Sequence, residues 1–210
     1  MEFLGDSVDV VDDEGRSVPA GVPGNLVVRK PFPMMIRTLW KDHERYLNEY
    51  FRPIPGCYFS YDAAVRDEDG HYWVLGRLDD VINVAGHRLS TMEIENAVLT
   101  CSEVSEAAVV DCPDPIKGAV PAAFLRLKSH QFEPGPLRSR ICQAVETKIG
   151  KIAVPEHLYV VDVMPKTSSG KIMRRLLRDL LKTGEIRADV SGLEDPSSLD
   201  AVKHALRHKL

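Results

Sequence analysis

The 210-residue chain has few cysteines, no long apolar run and no surplus of positive charge. Its four cysteines, Cys57, Cys101, Cys112 and Cys142, are widely spaced and form no Cys-x-x-Cys pair. That spacing argues against a zinc site and for reduced thiols in a cytoplasmic protein. No apolar stretch approaches the roughly 18 residues of a membrane span. Residues 1–6 show neither the basic start nor the apolar core of a secretory signal. Net charge is −4, with 27 Lys and Arg against 31 Asp and Glu. This balance argues against a general nucleic-acid binder but leaves room for a local basic patch. His204 and His208 are four apart on a predicted helix, as helical ligands would be. No acidic or cysteine partner stands beside them in a recognisable pattern, so no metal site is expected.

What is present suits one or two globular domains, with 44% apolar and 28% charged residues. Strands are expected near 6–11 and 25–29, and a short helix over 42–51 that ends before Pro53 and Pro55. Residues 57–66 and 71–75 flank Asp69-Gly70 and read as a β-hairpin. Asp62 lies in its first strand among Tyr58, Phe59 and Tyr61, an unusual place for a charge. A short strand over 81–84 follows. Ser90 to Glu93 reads as a capping box opening a helix over 91–100. Strands at 104–111 and 120–127, a proline-started helix at 136–149 and a strand at 158–164 come next. A helix after the lysine stretch ends at Gly184, 183–196 reads as loose, and 199–210 as a last helix. From Asp79 onward the order is β-α-β-β-α-β-α, a mixed α/β domain of roughly a hundred residues. The part before it holds too few strands to close a core.

The chain is organised around Pro165-Lys166-Thr167-Ser168-Ser169-Gly170-Lys171-Ile172-Met173-Arg174-Arg175. Ile172, Met173, Leu176, Leu177, Leu180 and Leu181 recur at helical spacing, with Lys171, Arg174, Arg175, Arg178 and Lys182 around the rest. A phosphate-binding P-loop is excluded, because Pro165 stands at its first glycine and Ile172 at its Ser/Thr. A basic amphipathic surface helix and a catalytic-lysine loop remain as readings of this stretch taken alone.

Three stretches together carry a resemblance. They are Tyr58-Phe59-Ser60-Tyr61-Asp62; Gly76-Arg77-Leu78-Asp79-Asp80 through Gly86-His87-Arg88 to Glu93-Ile94-Glu95; and the lysine stretch. From about Gly24 to Leu181 the chain resembles the acyl-adenylate-forming enzymes, and within them the AMP-forming acetyl-CoA synthetases. The resemblance implies an α+β (mixed α/β) architecture: residues 1–78 as the end of a β-rich large AMP-binding domain, 79–190 as a mobile lysine-bearing domain, and 191–210 as a tail helix. It implies that ATP, acetate (or another short carboxylate) and coenzyme A give acyl-CoA, AMP and pyrophosphate, with Mg2+ accompanying ATP. Lys171 is then the catalytic lysine that stabilises charge at the α-phosphorus. Asp62, Arg77 and Arg88 contact the nucleotide, Ala85, Gly86 and His87 face coenzyme A, and Asp79 is the hinge. Expected partners are the remaining N-terminal synthetase domain, in cis or in trans, and a lysine acyltransferase or deacylase acting on Lys171. Nucleic acid and membrane are not expected.

The chain departs from that pattern. The Gly- and Ser/Thr-rich phosphate loop and the acyl pocket are missing, so the chain alone is expected to be inactive. Tyr61 stands where the family has glycine, Ala85 where it has serine, and Glu146 where relatives carry a coenzyme A-binding arginine. The alternative is a non-catalytic module that docks on a partner or is a substrate for lysine acylation.

Overall fold

The computed structural model describes residues 7–129 and 131–210, with the side chains of Asp79 and Arg88 also outside the description. The chain divides into two compact units, Met1–Asp80 and Val81–Leu210.

In the first unit β1 (Val8–Val11), β2 (Gly24–Val28), β3 (Tyr58–Arg66) and β4 (Tyr72–Arg77) form one antiparallel sheet in that order, and helix α1 (His43–Tyr50) is inserted between β2 and β3. Asp42 caps α1 by accepting from the Arg45 amide at 3.2 Å. Val11, Val27, Ile54, Cys57 and Phe59 make a small core. This cluster is smaller than either core of the second unit.

The second unit opens with a hairpin, β5 (Val81–Val84) and β6 (His87–Ser90). Helix α2 (Thr91–Val98) follows, capped by Ser90 Oγ, which accepts from the Glu93 amide at 3.4 Å. A three-stranded sheet in the order β7 (Val104–Asp114), β8 (Gly118–Leu127), β9 (His157–Val160) is the scaffold. β7 and β8 are antiparallel, whereas β8 and β9 are parallel. A parallel neighbour needs a crossover, which helix α3 (Pro134–Lys148) supplies. Ile94, Ala97, Val98, Leu137, Ile141 and Val145 from α2 and α3 bury one face of the sheet through Val109, Ala123 and Leu125.

Helices α4 (Arg174–Thr183) and α5 (Ser197–Ala205) belong to a second core. Leu177, Leu180, Val202 and Ala205 pack there on Ala108, Val110, Phe124 and Tyr159. Each fully buried leucine contributes on the order of 1.5–3 kcal/mol. Alternate residues of β7 and β8 serve opposite cores, which explains their near-continuous apolar runs.

Four local readings are corrected. β6 was missed, because Ala85-Gly86 lacks the usual Asn-Gly or Asp-Gly signal and β6 is polar. α4 starts at Arg174, so Ile172 and Met173 precede the helix. Residues 183–196 are pinned: the Asp179 carboxylate accepts from the Arg187 and Ala188 amides at 2.9 and 2.7 Å, and Thr167 bridges Leu193. The last residues leave the helix and extend along β9, with the Leu210 amide donating to Leu158 O at 2.9 Å.

Candidate functional site

In the first unit, the β3–β4 register sets Asp62 directly opposite Arg77. Arg77 Nη1 lies 3.7 Å from Asp62 Oδ1 and donates to Ser60 O at 2.9 Å. Their side chains are 28% and 48% exposed. Tyr61, between the two strand positions, adopts φ 62°, the left-handed region that favours glycine. Its ring packs on Phe59 at 4.5 Å between centroids, and the Arg77 guanidinium sits 5.8 Å above it. The ring is therefore committed to protein contacts on the Phe59 and Arg77 side.

In the second unit, Lys171 sits on a tight hairpin rather than in the first helical turn. Lys166 and Ile172 bridge, the Thr167 amide donates to Lys171 O at 2.9 Å, and the Gly170 amide donates to Thr167 O at 2.7 Å. Gly170 takes φ 81°, which makes the reversal possible. The Lys171 amide itself donates to Thr167 Oγ1 at 3.2 Å. The turn thus fixes the lysine backbone, while the side chain is exposed. Among the described residues no carboxylate pairs with its ammonium.

The neighbouring cations are occupied. Arg178 and Lys182 reach Asp111 at 2.5 and 2.6 Å. Lys166 reaches Glu106 at 2.7 Å, and Arg126 reaches it at 3.1 Å. Burial pushes Asp111 up, but the hydrogen bonds from Lys182 and Arg178 outweigh it and hold the carboxyl below its usual range. The same contest, with Lys166 and Arg126, lowers Glu106. Arg174 takes Glu95 with a two-pronged grip, Nε at 3.0 Å and Nη2 at 2.7 Å. The basic-helix reading therefore loses Arg174, Arg178 and Lys182 to intramolecular carboxylates.

Ala85 and Gly86 form the two-residue turn of the β5–β6 hairpin, with φ 48° and 87°. Two successive positive φ values match the right-handed twist of the strands. A Cβ at Gly86 would meet nothing within 4 Å, so the backbone angle demands glycine and packing does not. The Ala85 amide donates to Lys117 O at 3.0 Å, tying the turn to the β7–β8 end. Ala85 and Glu146 line one cleft of about 560 Å3, together with Lys117, Arg138, Cys142 and Lys151. His87 is exposed beside the turn. Among the described residues no hydrogen bond joins this turn to the Lys171 hairpin.

The backbone of Arg88 lies in β6 opposite Asn83, and that of Asp79 in the 3-10 turn Leu78–Asp80 that ends the first unit. Their side chains lie outside the described residues. One further group, Asp67, Asp69 and His71, brings ligand atoms within 4.8 Å of one another. It sits on the exposed β3–β4 turn, where the Asp67 carboxylate already accepts from the His71 amide and from Trp73 Nε1. Mixed imidazole and occupied carboxylate donors do not fit Mg2+, which favours octahedral oxygen and its own waters.

Glu95 lies in the Glu93-Ile94-Glu95 stretch, and the sequence alone assigns it no role. The available signal was an acid at a position flanked by the core residues Ile94, Ala97 and Val98 of α2. The partner Arg174, 79 residues away, carried no such signal.

Residues 93–171 match the family model described as the AMP-binding enzyme C-terminal domain. Acetyl-coenzyme A synthetase of Pyrobaculum aerophilum is 47% identical over 201 residues, 96% of this chain and 30% of that protein. Acetyl-coenzyme A synthetase of Chlorobaculum tepidum is 47% identical over 90% of this chain and 28% of its own length. Among solved structures, the anthranilate CoA ligase AuaEII in complex with anthranoyl-AMP matches with a TM-score of 0.75 and 32% identity, covering 86% of this chain and 34% of that one. Amide bond synthetase McbA from Marinactinospora thermotolerans matches with a TM-score of 0.70 and 29% identity, over 84% and 35%. The chain spans about 30% of the length of the synthetases it matches. Over nearly all of its own length the chain is related to about 30% of the acetyl-coenzyme A synthetases, and it carries the C-terminal domain of AMP-binding enzymes.

Proposed function

We propose that the chain supplies the lysine-bearing part of an AMP-forming ligase that joins acetate, or another short carboxylate, to coenzyme A. The observation that carries this is Lys171: an exposed cation on a hydrogen-bonded hairpin, just after its turn, with every nearby basic residue of α4 except Arg175 paired to a carboxylate. Such a cation is suited to an anion brought from elsewhere. As carboxylate oxygen attacks the α-phosphorus of ATP, charge builds on the phosphate oxygens, and a pre-positioned ammonium stabilises it.

Asp62 accepts from the ribose hydroxyls, as acidic residues do in other nucleotide sites. Arg77 steadies that carboxylate and contacts the nucleotide, and Arg88 meets the phosphates. The Ala85-Gly86-His87 turn guides the pantetheine arm, and the adjoining cleft receives the coenzyme A nucleotide. Glu146 in that cleft is unfavourable to phosphate, while Lys117, Arg138 and Lys151 offset it. Asp79 is the hinge between half-reactions, a reading supported by the division of the chain between Asp80 and Val81. Mg2+ arrives with the ATP phosphates, and no residue of this chain is assigned to it. Acylation of Lys171 by a cellular acyltransferase would remove its charge and stop adenylation. The reaction takes place in the cytoplasm.

The test is acyl-CoA formation from acetate, ATP and coenzyme A. The chain alone is expected to be silent. Mixed with a separately expressed synthetase portion that holds the phosphate loop, it is expected to give activity that Lys171→Ala abolishes. Full activity of the chain alone, or none with a partner shown to bind ATP, would count against the proposal. The second outcome would favour a non-catalytic module.

A further inference from the structure

Glu95 is among the few charged side chains that are buried, at 7% exposure. It stands on α2, which packs on the first core of the second unit. Its Oε1 accepts from the Val109 amide at 2.8 Å and from Arg174 Nε at 3.0 Å. Its Oε2 accepts from Arg174 Nη2 at 2.7 Å. β7 is an edge strand of its sheet, so an amide pointing away from β8 has no ladder partner. Glu95 supplies that partner to Val109 and reaches past the edge to the first residue of α4, which packs on the opposite core.

Removing a buried carboxylate that satisfies three donors leaves those donors orphaned, a far larger penalty than loss of a surface pair. A structural role alone would fit any partner on α4. The partner is Arg174, three residues after Lys171 and immediately after Met173, whose amide donates to Pro165 O at 2.8 Å to close the base of the hairpin. The only covalent path from the tip to α4 is therefore short, and its helical end is held by the fork of Arg174. The other leg of the hairpin is held independently, by Lys166 on Glu106 and by the Glu194 amide on Lys166 O at 2.9 Å.

We propose that Glu95 is a positioning residue for Lys171, acting through Arg174. The Glu95–Arg174 fork locks the start of α4 to the edge of β7, and this fixes the register and direction of the hairpin that carries the lysine. The assignment deepens the catalytic reading of Lys171 and rests on it for its functional meaning. Its physical content, that Glu95 controls hairpin order, stands independently of any activity.

Amide hydrogen exchange on the full 210-residue chain tests it. In Glu95→Gln the side-chain amide confronts Arg174 Nη2 and the fork is lost. The amides of Thr167, Gly170 and Met173 are expected to exchange about tenfold faster or more, while those of Ala122 to Leu125 in β8 stay within about twofold. Arg174→Lys keeps the charge but not the fork. It is expected to speed the same three amides by about threefold, and it serves if Glu95→Gln does not fold. Unchanged hairpin exchange in the folded variant, or equal acceleration across β8, would overturn the proposal. Lys171→Ala is expected to leave hairpin exchange as it is. If exchange responds to Glu95 as stated but Lys171→Ala retains adenylation in the reconstituted synthetase, the positioning claim survives and the catalytic reading fails.

Discussion

Asp62 and Arg77 are cross-strand partners in the β3–β4 ladder, with Nη1 3.7 Å from Oδ1 and both heads reachable by solvent. An exposed pair at that separation contributes about 0–1 kcal/mol to folding. Asp62→Ala is therefore expected to leave stability nearly unchanged. In the reconstituted synthetase it should raise KM for ATP by about tenfold or more, because hydrogen bonds to a charged acceptor are worth about 1.5–3 kcal/mol. Steady-state kinetics together with thermal unfolding checks both halves. Loss of stability without a change in KM would assign Asp62 to structure.

Tyr61 sets two effects against each other. Its left-handed φ of 62° costs about 1–2 kcal/mol relative to glycine. Its half-buried ring on Phe59 and under Arg77 returns about 2 kcal/mol through area and aromatic contact. Glycine also frees the unfolded chain, by up to about 1 kcal/mol. Tyr61→Gly is thus expected to destabilise the chain by about 1 kcal/mol on urea unfolding, despite relieving backbone strain. A stabilised variant would mean that the ring contacts count for little.

Gly86 separates conformation from packing. Open space surrounds it, yet φ is 87°. Gly86→Ala is expected to cost about 1 kcal/mol of stability. It should slow thioester formation by about tenfold while leaving acetate-dependent ATP–pyrophosphate exchange unchanged. Equal loss in both half-reactions would remove the turn from the coenzyme path.

Asp111 makes α4 sensitive to acid. Burial raises its carboxyl, Lys182 and Arg178 lower it, and the lowering wins, so the folded value lies beneath the unfolded one. The stabilisation is then complete above the unfolded value of roughly 3.9 and is lost as pH falls through the folded value. Asp111→Asn is expected to lose about 1 kcal/mol at neutral pH, and its unfolding midpoint should fall less steeply than wild type on acidification below about pH 4. Parallel acid profiles for the two proteins would refute the assignment.

Much of this was legible because local chemistry fixed it. The Ser90 cap, Gly184 in its left-handed position after α4 and the Asp69-Gly70 hairpin all act within a few residues, whereas α3 starts at Pro134, two residues before the expected Pro136. Asp62, Arg77, Gly86 and Lys171 stand out in the sequence as motif residues, and the structure adds the strand, turn or hairpin that each occupies. What stayed hidden depends on partners remote in sequence. The basic face of α4 looked solvated until Asp111, 67 residues from Arg178, stood beneath it. Residues 183–196 looked loose because their polar groups bond to Asp179 and to the lysine hairpin, which no periodicity reports. β6 was hidden because Ala85 takes a backbone angle that its side chain does not advertise.

The most direct measurement compares wild type and Lys171→Ala in the two half-reactions, with the chain supplemented by the synthetase portion that carries the phosphate loop. Acetate-dependent ATP–pyrophosphate exchange reports adenylation, and acetyl-CoA release from preformed acetyl-adenylate reports thioester formation. The expected result is a loss of exchange by about a hundredfold to a thousandfold, the scale of removing one transition-state charge contact, with thioester formation unchanged. Retained exchange in Lys171→Ala, or equal loss of both reactions, would contradict the role given to the lysine hairpin.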